Sequence, residues 1–285
     1  MSLYKKMAAA VALCVLLLLV NLEPWLWRSD VKKLPVLMYH HFDTVSEMDT
    51  VVSVERFREQ MTALKAAGYT TVTPTQILRY VDRGAALPEK SVLITMDDGY
   101  TSNVTEAAPI LHELGMCATV FVIGINEGET VYAHTGEPLY PARFSYEEAL
   151  PWVENGTLTL QSHTYDMHQL ESYGCGGRDG ILPEEGENTE NYCDALRTDL
   201  EKFRERYEAH GIETPLVALA YPFGYFCDEA RGVLEEAGIR MTFTVIEGSN
   251  LLRVGDDECL WNMGRYNVTE RMSGEELVEW LEHVS

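Results

Sequence analysis

Basic residues are scarce in this chain: 22 lysines and arginines stand against 45 aspartates and glutamates, a formal net charge of -23. That deficit excludes a nucleic-acid partner, whose phosphates require the opposite sign. It suits a soluble domain in an ionic, extracytoplasmic setting. The six cysteines never fall at C-x-x-C spacing, which argues against a structural zinc knuckle. There is no repeat period and no low-complexity tract, so the chain is not an array of small units. Long apolar runs are also missing, with one exception at the N-terminus.

That exception is Met7 to Val20, preceded by Lys5 and Lys6 and followed by Asn21-Leu22-Glu23-Pro24-Trp25-Leu26-Trp27. It reads as a secretory signal or an uncleaved signal-anchor. The run is shorter than the ~20 residues of a typical membrane span, although Leu22 and the two tryptophans extend it toward an interfacial belt. No small-x-small cleavage site follows, which favours an anchor with the remaining chain outside the membrane. Residues 1–33 are therefore set apart as cytoplasmic tip, signal-anchor or signal peptide, and linker. Residues 34–285 suffice for a single domain with a full core. Cys175, Cys193, Cys227 and Cys259 lie beyond the apolar run and could pair in an oxidising compartment. A Cys175–Cys193 bridge would close the Gly- and Glu-rich stretch from Tyr173 to Asn191, which reads as an inserted surface loop.

From Leu34 onward, strand and helix patterns alternate. Leu34 to Tyr39 reads as a buried strand ending in His40-His41. Ser53 is a predicted N-cap for a helix through Phe57, Met61 and Leu64, and Ser145-x-x-Glu148 and Ser273-x-x-Glu276 are capping boxes. Further strands are expected at Thr70 to Thr73, Val92 to Met96, Ala118 to Ile123, Thr157 to Gln161, Leu216 to Ala220 and Met241 to Val245. This alternation implies a mostly parallel sheet, open or closed into a barrel. The polar clusters His40-His41, Asp97-Asp98, His163 and Tyr221 to Gly224 all follow predicted strands. In α/β folds that edge is where sites assemble.

Two adjacent aspartates at the end of the strand Val92 to Met96 repel one another and call for a counter-charge, a metal or an arginine. Asp-Gly also closes ordinary turns, so the pair alone fits a turn equally well. His163 and His168 lie five residues apart on a post-strand loop. Two imidazoles and one carboxylate make a three-ligand metal set with an open position. Asp98 could supply that carboxylate and leave Asp97 as a base. His112, His134 and His210 read as structural or solvated.

Thr95-Met96-Asp97-Asp98-Gly99, then Ser162-His163-Thr164 to His168, then Tyr221-Pro222-Phe223-Gly224, resembles the polysaccharide deacetylases of the NodB-homology group, carbohydrate esterase family 4. The resemblance covers about Leu34 to Asn267. It implies a distorted (β/α) barrel and hydrolysis of N-acetyl groups on an N-acetylglucosamine-containing polysaccharide, with a divalent metal, most readily zinc. It assigns Asp97 as the catalytic base and Asp98, His163 and His168 as metal ligands. Tyr221 and Phe223 are expected either to line the sugar groove or to pack in the core, and a backbone N–H near Phe223 or Gly224 to help an oxyanion. An O-acetyl carbohydrate esterase and a catalytically weak glycan-binding relative on the same fold are the alternatives.

Three departures from the family pattern matter. The histidines are spaced by five rather than four, which looks like the branch acting on exported poly-N-acetylglucosamine. The arginine usual before the third motif's proline is replaced by Tyr221, and Arg265 is the candidate to take its place beside Asp97. The usual C-terminal acid histidine is missing, since His283 falls on an amphipathic helix. Leu37-Met38-Tyr39-His40 resembles the N-terminal Tyr-His strand of circularly rearranged deacetylases, which makes His40 rather than His41 the expected general acid.

Overall fold

The longest strand, Ser91–Asp98, is buried at every position, and the sheet grows outward from it on both sides. The computed structural model of the chain describes residues 31–44, 48–173 and 178–284. In chain order the strands begin with β1 (Lys32–Leu34), β2 (Val36–Tyr39), β3 (His41–Asp43), β4 (Val51–Ser53), β5 (Thr70–Thr71) and β6 (Ser91–Asp98). They continue with β7 (Ala118–Val122), β8 (Leu158–Ser162), β9 (Ala218–Ala220), β10 (Met241–Phe243), β11 (Asn250–Leu252) and β12 (Tyr266–Asn267). Eight of them form one sheet in the order β10-β9-β8-β7-β6-β2-β12, with β5 paired to the start of β6. Every pairing in it is parallel.

A parallel sheet covered on both faces requires apolar residues at odd and even positions alike. Leu37, Ile94, Met96, Val120 and Leu160 face one core cluster. Their neighbours Val36, Leu93 and Phe121 face another, together with Ala218 and Phe243. The surrounding helices are α1 (Val54–Ala66), α2 (Pro74–Arg83), α3 (Ala108–Leu114), α4 (Tyr146–Glu154), α5 (Thr189–Ala209), α6 (Ala230–Glu236) and α7 (Gly274–Val284). Their starts are written locally. The Ser53 hydroxyl accepts from Arg56 N, and Thr73 with Gln76 and Ser145 with Glu148 close reciprocal capping boxes. The Ser273 hydroxyl caps α7 in the same way, with Glu276 bonding back.

The sheet curls until its two edges approach. There the chain from 263 to 265 stitches the seam: Met263 N donates to Thr242 O (2.8 Å), Thr244 N to Met263 O (2.9 Å) and Arg265 N to Ile246 O (3.1 Å). Residues 266–267 then join β2 as β12. The architecture is a curled parallel half-barrel with a sewn edge.

The expected strand from Leu34 to Tyr39 is two strands. Pro35 has no N–H to offer the ladder, so β1 turns away to pair antiparallel with β11 while β2 enters the main sheet. The insertion after Tyr173 is shorter than expected, because Asn188 caps α5 and the helix starts at Thr189. Arg178 anchors the insertion through a bidentate pair with Glu187 (2.8 and 2.9 Å). The expected N-terminal segment lies, up to residue 30, outside the described residues. No described helix is long and apolar enough to cross a membrane. Cys175 is likewise outside the described residues, and Cys117, Cys193, Cys227 and Cys259 are free thiols.

Candidate active site

The last two residues of β6 deliver both carboxylates. Strand alternation alone would send Asp97 and Asp98 to opposite faces. Asp98 instead adopts φ 73°, followed by Gly99 at φ 69°, and this left-handed turn brings both side chains to one cavity of about 590 Å³. Non-glycine residues occupy that region at a cost, which the surrounding structure must offset.

Asp97 is held by Arg265. The guanidinium donates Nη1 to Oδ1 and Nη2 to Oδ2, both at 2.7 Å, in a bidentate fork. Its Nε donates to Thr244 O (2.8 Å) and Nη1 also reaches Thr95 Oγ1 (3.3 Å). The arginine is wholly buried at the sewn edge of the sheet. Burial would raise the Asp97 carboxyl, but Arg265, with His163 and His40, outweighs it and keeps the group below its ordinary value.

Asp98 faces the two histidines. Its Oδ1 lies 3.5 Å from His163 Nε2 and 3.3 Å from His168 Nε2, and the three donor atoms fall within 4.8 Å of one another. His163 Nδ1 is 2.8 Å from Ala220 O, which accepts only, so Nδ1 carries a proton and Nε2 is the ring nitrogen turned to the cavity beside Asp98 Oδ1, free to ligate an ion when neutral. One carboxylate oxygen and two imidazole nitrogens on the wall of an open cavity fit a divalent ion with positions left for solvent. Burial works against charge on Asp98, yet His168, His163 and Arg143 together hold its carboxyl well below the usual range. His163 shows the reverse: burial disfavours its cation, but Asp98 and Asp97 win and raise it.

At the end of β2, His40 also lines the cavity, whereas His41 turns away to bond Ser102 Oγ through Nδ1 (2.8 Å). His40 Nδ1 is buried without a hydrogen-bond partner among the described residues. Burial lowers its pKa, and the Asp97 and Asp98 carboxylates pull back upward. The pocket thus gathers a buried carboxylate on an arginine, a three-donor cluster and an imidazole with a spare nitrogen.

The model of the family described as polysaccharide deacetylase matches residues 84–242. The chain belongs to this family. Among curated relatives, the poly-beta-1,6-N-acetyl-D-glucosamine N-deacetylase of Staphylococcus aureus (strain MRSA252) is 27% identical over 196 residues, covering 69% of this chain and 61% of the relative. Less than two thirds of that relative's length is therefore matched. Among solved structures, the de-N-acetylase from Aggregatibacter actinomycetemcomitans superposes with a TM-score of 0.73 at 20% identity, over 87% of this chain and 100% of that one. IcaB from Ammonifex degensii does so with a TM-score of 0.68 at 23% identity, over 88% and 100%. Both likenesses describe the fold.

Within this deacetylase-family pocket, several expected residues sit elsewhere. Tyr221 does not line the groove: it is 3% exposed and stacks on Phe226 in the core (centroids 5.3 Å apart). The Gly224 amide donates to Tyr221 O at 2.8 Å, so it closes a turn rather than facing an oxyanion. Gly224 has φ 76°, and a Cβ there would meet Val245 Cγ2 at 2.5 Å. Phe223 does line the cavity, with its ring 4.4 Å from that of His168.

Two cavity residues were invisible in the sequence. His134, expected to be structural or solvated, is on the wall and bonds Asp166 Oδ1 through Nε2 (2.7 Å). Arg143 stacks over the Tyr100 ring at 3.7 Å, lies 3.9 Å from Asp98 Oδ2, and has a buried Nε that bonds nothing among the described residues. Neither belongs to a short motif. Both come from the long loop between Asn126 and Phe144, which only the fold returns to the site.

Proposed function

We propose that the chain is a metal-dependent hydrolase that removes N-acetyl groups from an N-acetylglucosamine-containing polysaccharide. The observation that carries this reading is the Asp97–Arg265 fork set against the Asp98, His163 and His168 cluster. It separates two neighbouring carboxylates into a base held ionised and a ligand, the division that amide hydrolysis by water requires. A divalent ion held by Asp98, His163 and His168, zinc in this proposal, would polarise the acetamide carbonyl and acidify the attacking water.

The chain's own residues supply the proton steps. Asp97, kept ionised by Arg265, takes a proton from the water as its oxygen bonds the carbonyl carbon. Arg265 holds that carboxylate in one orientation through both oxygens. His40, in its protonated form, gives its proton to the sugar nitrogen as the carbon–nitrogen bond breaks. The products are acetate and a free amino sugar. Phe223 covers His168 and narrows the pocket on that side. The absence of an arginine before Pro222 is what a glycan-binding relative without turnover would rest on, and the Arg265 fork on Asp97 supports turnover instead.

The segment Met7 to Val20 is proposed to tether the domain outside the cytoplasmic membrane, where an acetylated exported polymer or cell-wall glycan would be met. The test is acetate release across a panel of N-acetylated and O-acetylated glycans, with and without a chelator. Release from N-acetylglucosamine oligomers is expected to disappear on chelation and return with Zn2+. In Asp97→Asn turnover is expected to fall at least ~100-fold with metal uptake retained. Release from O-acetylated sugars alone would replace this reading with that of an esterase.

A further inference from the structure

The two metal-site histidines are carried on a loop whose backbone is pinned from a distant helix. His163 N donates to Val122 O and Thr164 N to Ser162 Oγ, which fixes the exit from β8. Thr164 has φ 68°, a conformation that a threonine does not hold without support. The next two amides, Tyr165 N and Asp166 N, both go to Asp199, at 2.7 Å to Oδ2 and 2.8 Å to Oδ1. Met167 N then returns to Thr164 Oγ1 at 3.2 Å. On the other side, Gly124 N and Ile125 N donate to Thr164 O and Tyr165 O. Asp199 sits midway along α5, is 6% exposed, and spends both carboxylate oxygens on this loop.

We propose that Asp199 is a positioning residue for the metal site, holding the His163–His168 loop so that both Nε2 atoms converge on Asp98. The inference rests on the metal-ion reading above and goes beyond it by placing the determinant of ligand geometry on a helix outside the motifs. The chemistry is specific to a carboxylate. Two adjacent amides pointing the same way need two acceptors on one group, and an ionised carboxylate supplies both with no donor of its own. The wide five-residue spacing leaves more backbone between the ligands than a single helical turn would order. Asp199 supplies the order that the local sequence does not.

Asp199→Asn keeps the shape but turns an NH2 group against one of the two amides. Zn2+ affinity, measured by competition with a chromophoric chelator on the full chain, is expected to weaken about 10- to 100-fold, as for other groups that orient metal ligands. Thermal melting of the metal-free protein separates this from general damage. Tyr207→Phe on the same helix removes a hydroxyl that is shared between Thr214 O at 3.0 Å and Leu160 O at 3.3 Å and bonds nothing between 163 and 168. It is expected to lower the melting temperature while leaving Zn2+ affinity within twofold. Asp199→Ala, which removes both acceptors and adds no donor against the amides, is read the same way if the Asn protein is recovered unfolded. Unchanged Zn2+ affinity in a folded Asp199 variant, or an equal loss in Tyr207→Phe, overturns the proposal. A wild-type chain that takes up no Zn2+ overturns the metal reading itself, and this inference with it.

Discussion

At the scale of single residues, the site depends on a buried charge being matched. Among the described residues Arg265 is the largest fully buried side chain, and its only carboxylate partner there is Asp97, with which it shares two 2.7 Å bonds. Removing one member of such a pair costs more than the pair contributes, because the other charge stays buried and uncompensated. Arg265→Met is therefore expected to lower stability by about 3–5 kcal/mol. It also removes the main influence holding the Asp97 carboxyl down, so that burial raises it. The proposed base is then protonated at higher pH, and the acidic limb of the kcat/KM profile is expected to move upward. A pH–rate profile of the variant checks this, and an unmoved limb would show that Asp97 is not the base. The sign for stability follows from the same shift. A depressed carboxyl stabilises the wild-type fold above its unfolded value, and that contribution is lost as pH falls through the folded value.

Among the elements, the tightest constraint on the site is the meeting of α5, the His163–His168 loop and the turn after β7. Gly124 lies there, and a Cβ on it would be 2.8 Å from Tyr165 Cδ2, 3.0 Å from Phe203 Cδ2 and 3.2 Å from the Tyr165 Cα. Backbone is among the clashing atoms, so the side chains cannot simply rotate away. One helical face carries the whole junction: Asp199 holds the loop, Phe203 packs on Gly124, and Arg206 Nε pairs with buried Glu127 at 2.7 Å. Gly124→Ala is expected to destabilise by about 1–3 kcal/mol through overpacking. Because the strain falls on Tyr165, Zn2+ affinity is expected to drop as well. Denaturant melts together with a metal titration check both effects. Elsewhere the elements behave as their caps dictate, and Ser53, Ser145 and Ser273 begin helices at the residues read from sequence.

For the molecule as a whole, the chain beyond β11 is what completes both the sheet and the site. The stitches from Met263 to Arg265 hold the edges of the half-barrel together, β12 pairs with β2, and α7 packs against α1. A chain ending at Trp261 lacks all of these and leaves Asp97 buried without a counter-charge. It is expected to lose the cooperative unfolding transition and to bind a hydrophobic dye, as monitored by near-UV circular dichroism and ANS fluorescence. A sharp native-like transition in that truncation would show that the seam is dispensable.

How much of this could be read beforehand follows from the range of each interaction. Strand and helix periodicity, helix caps, and the placement of Asp97 and Asp98 at a strand end and of His163 and His168 after one are local patterns, and they survive in the fold, although β6 runs on through Asp98 rather than stopping at Met96. The positions of His40 and Arg265 were reachable only through resemblance. They lie 57 and 168 residues from Asp97, and no spacing rule links them. His134, Arg143 and Asp199 escaped altogether, and Tyr221 stayed undecided between groove and core. An aromatic after a strand suits a groove or a core equally, and a histidine or arginine in a long loop carries no periodic signal. An aspartate on an amphipathic helix looks solvated until something buries it. By itself the sequence determined the alternation of elements and the donor types offered at one edge of the sheet. Only the tertiary structure decided which carboxylate meets Arg265 and which imidazoles converge, because those contacts arise when the curled sheet brings its two edges together.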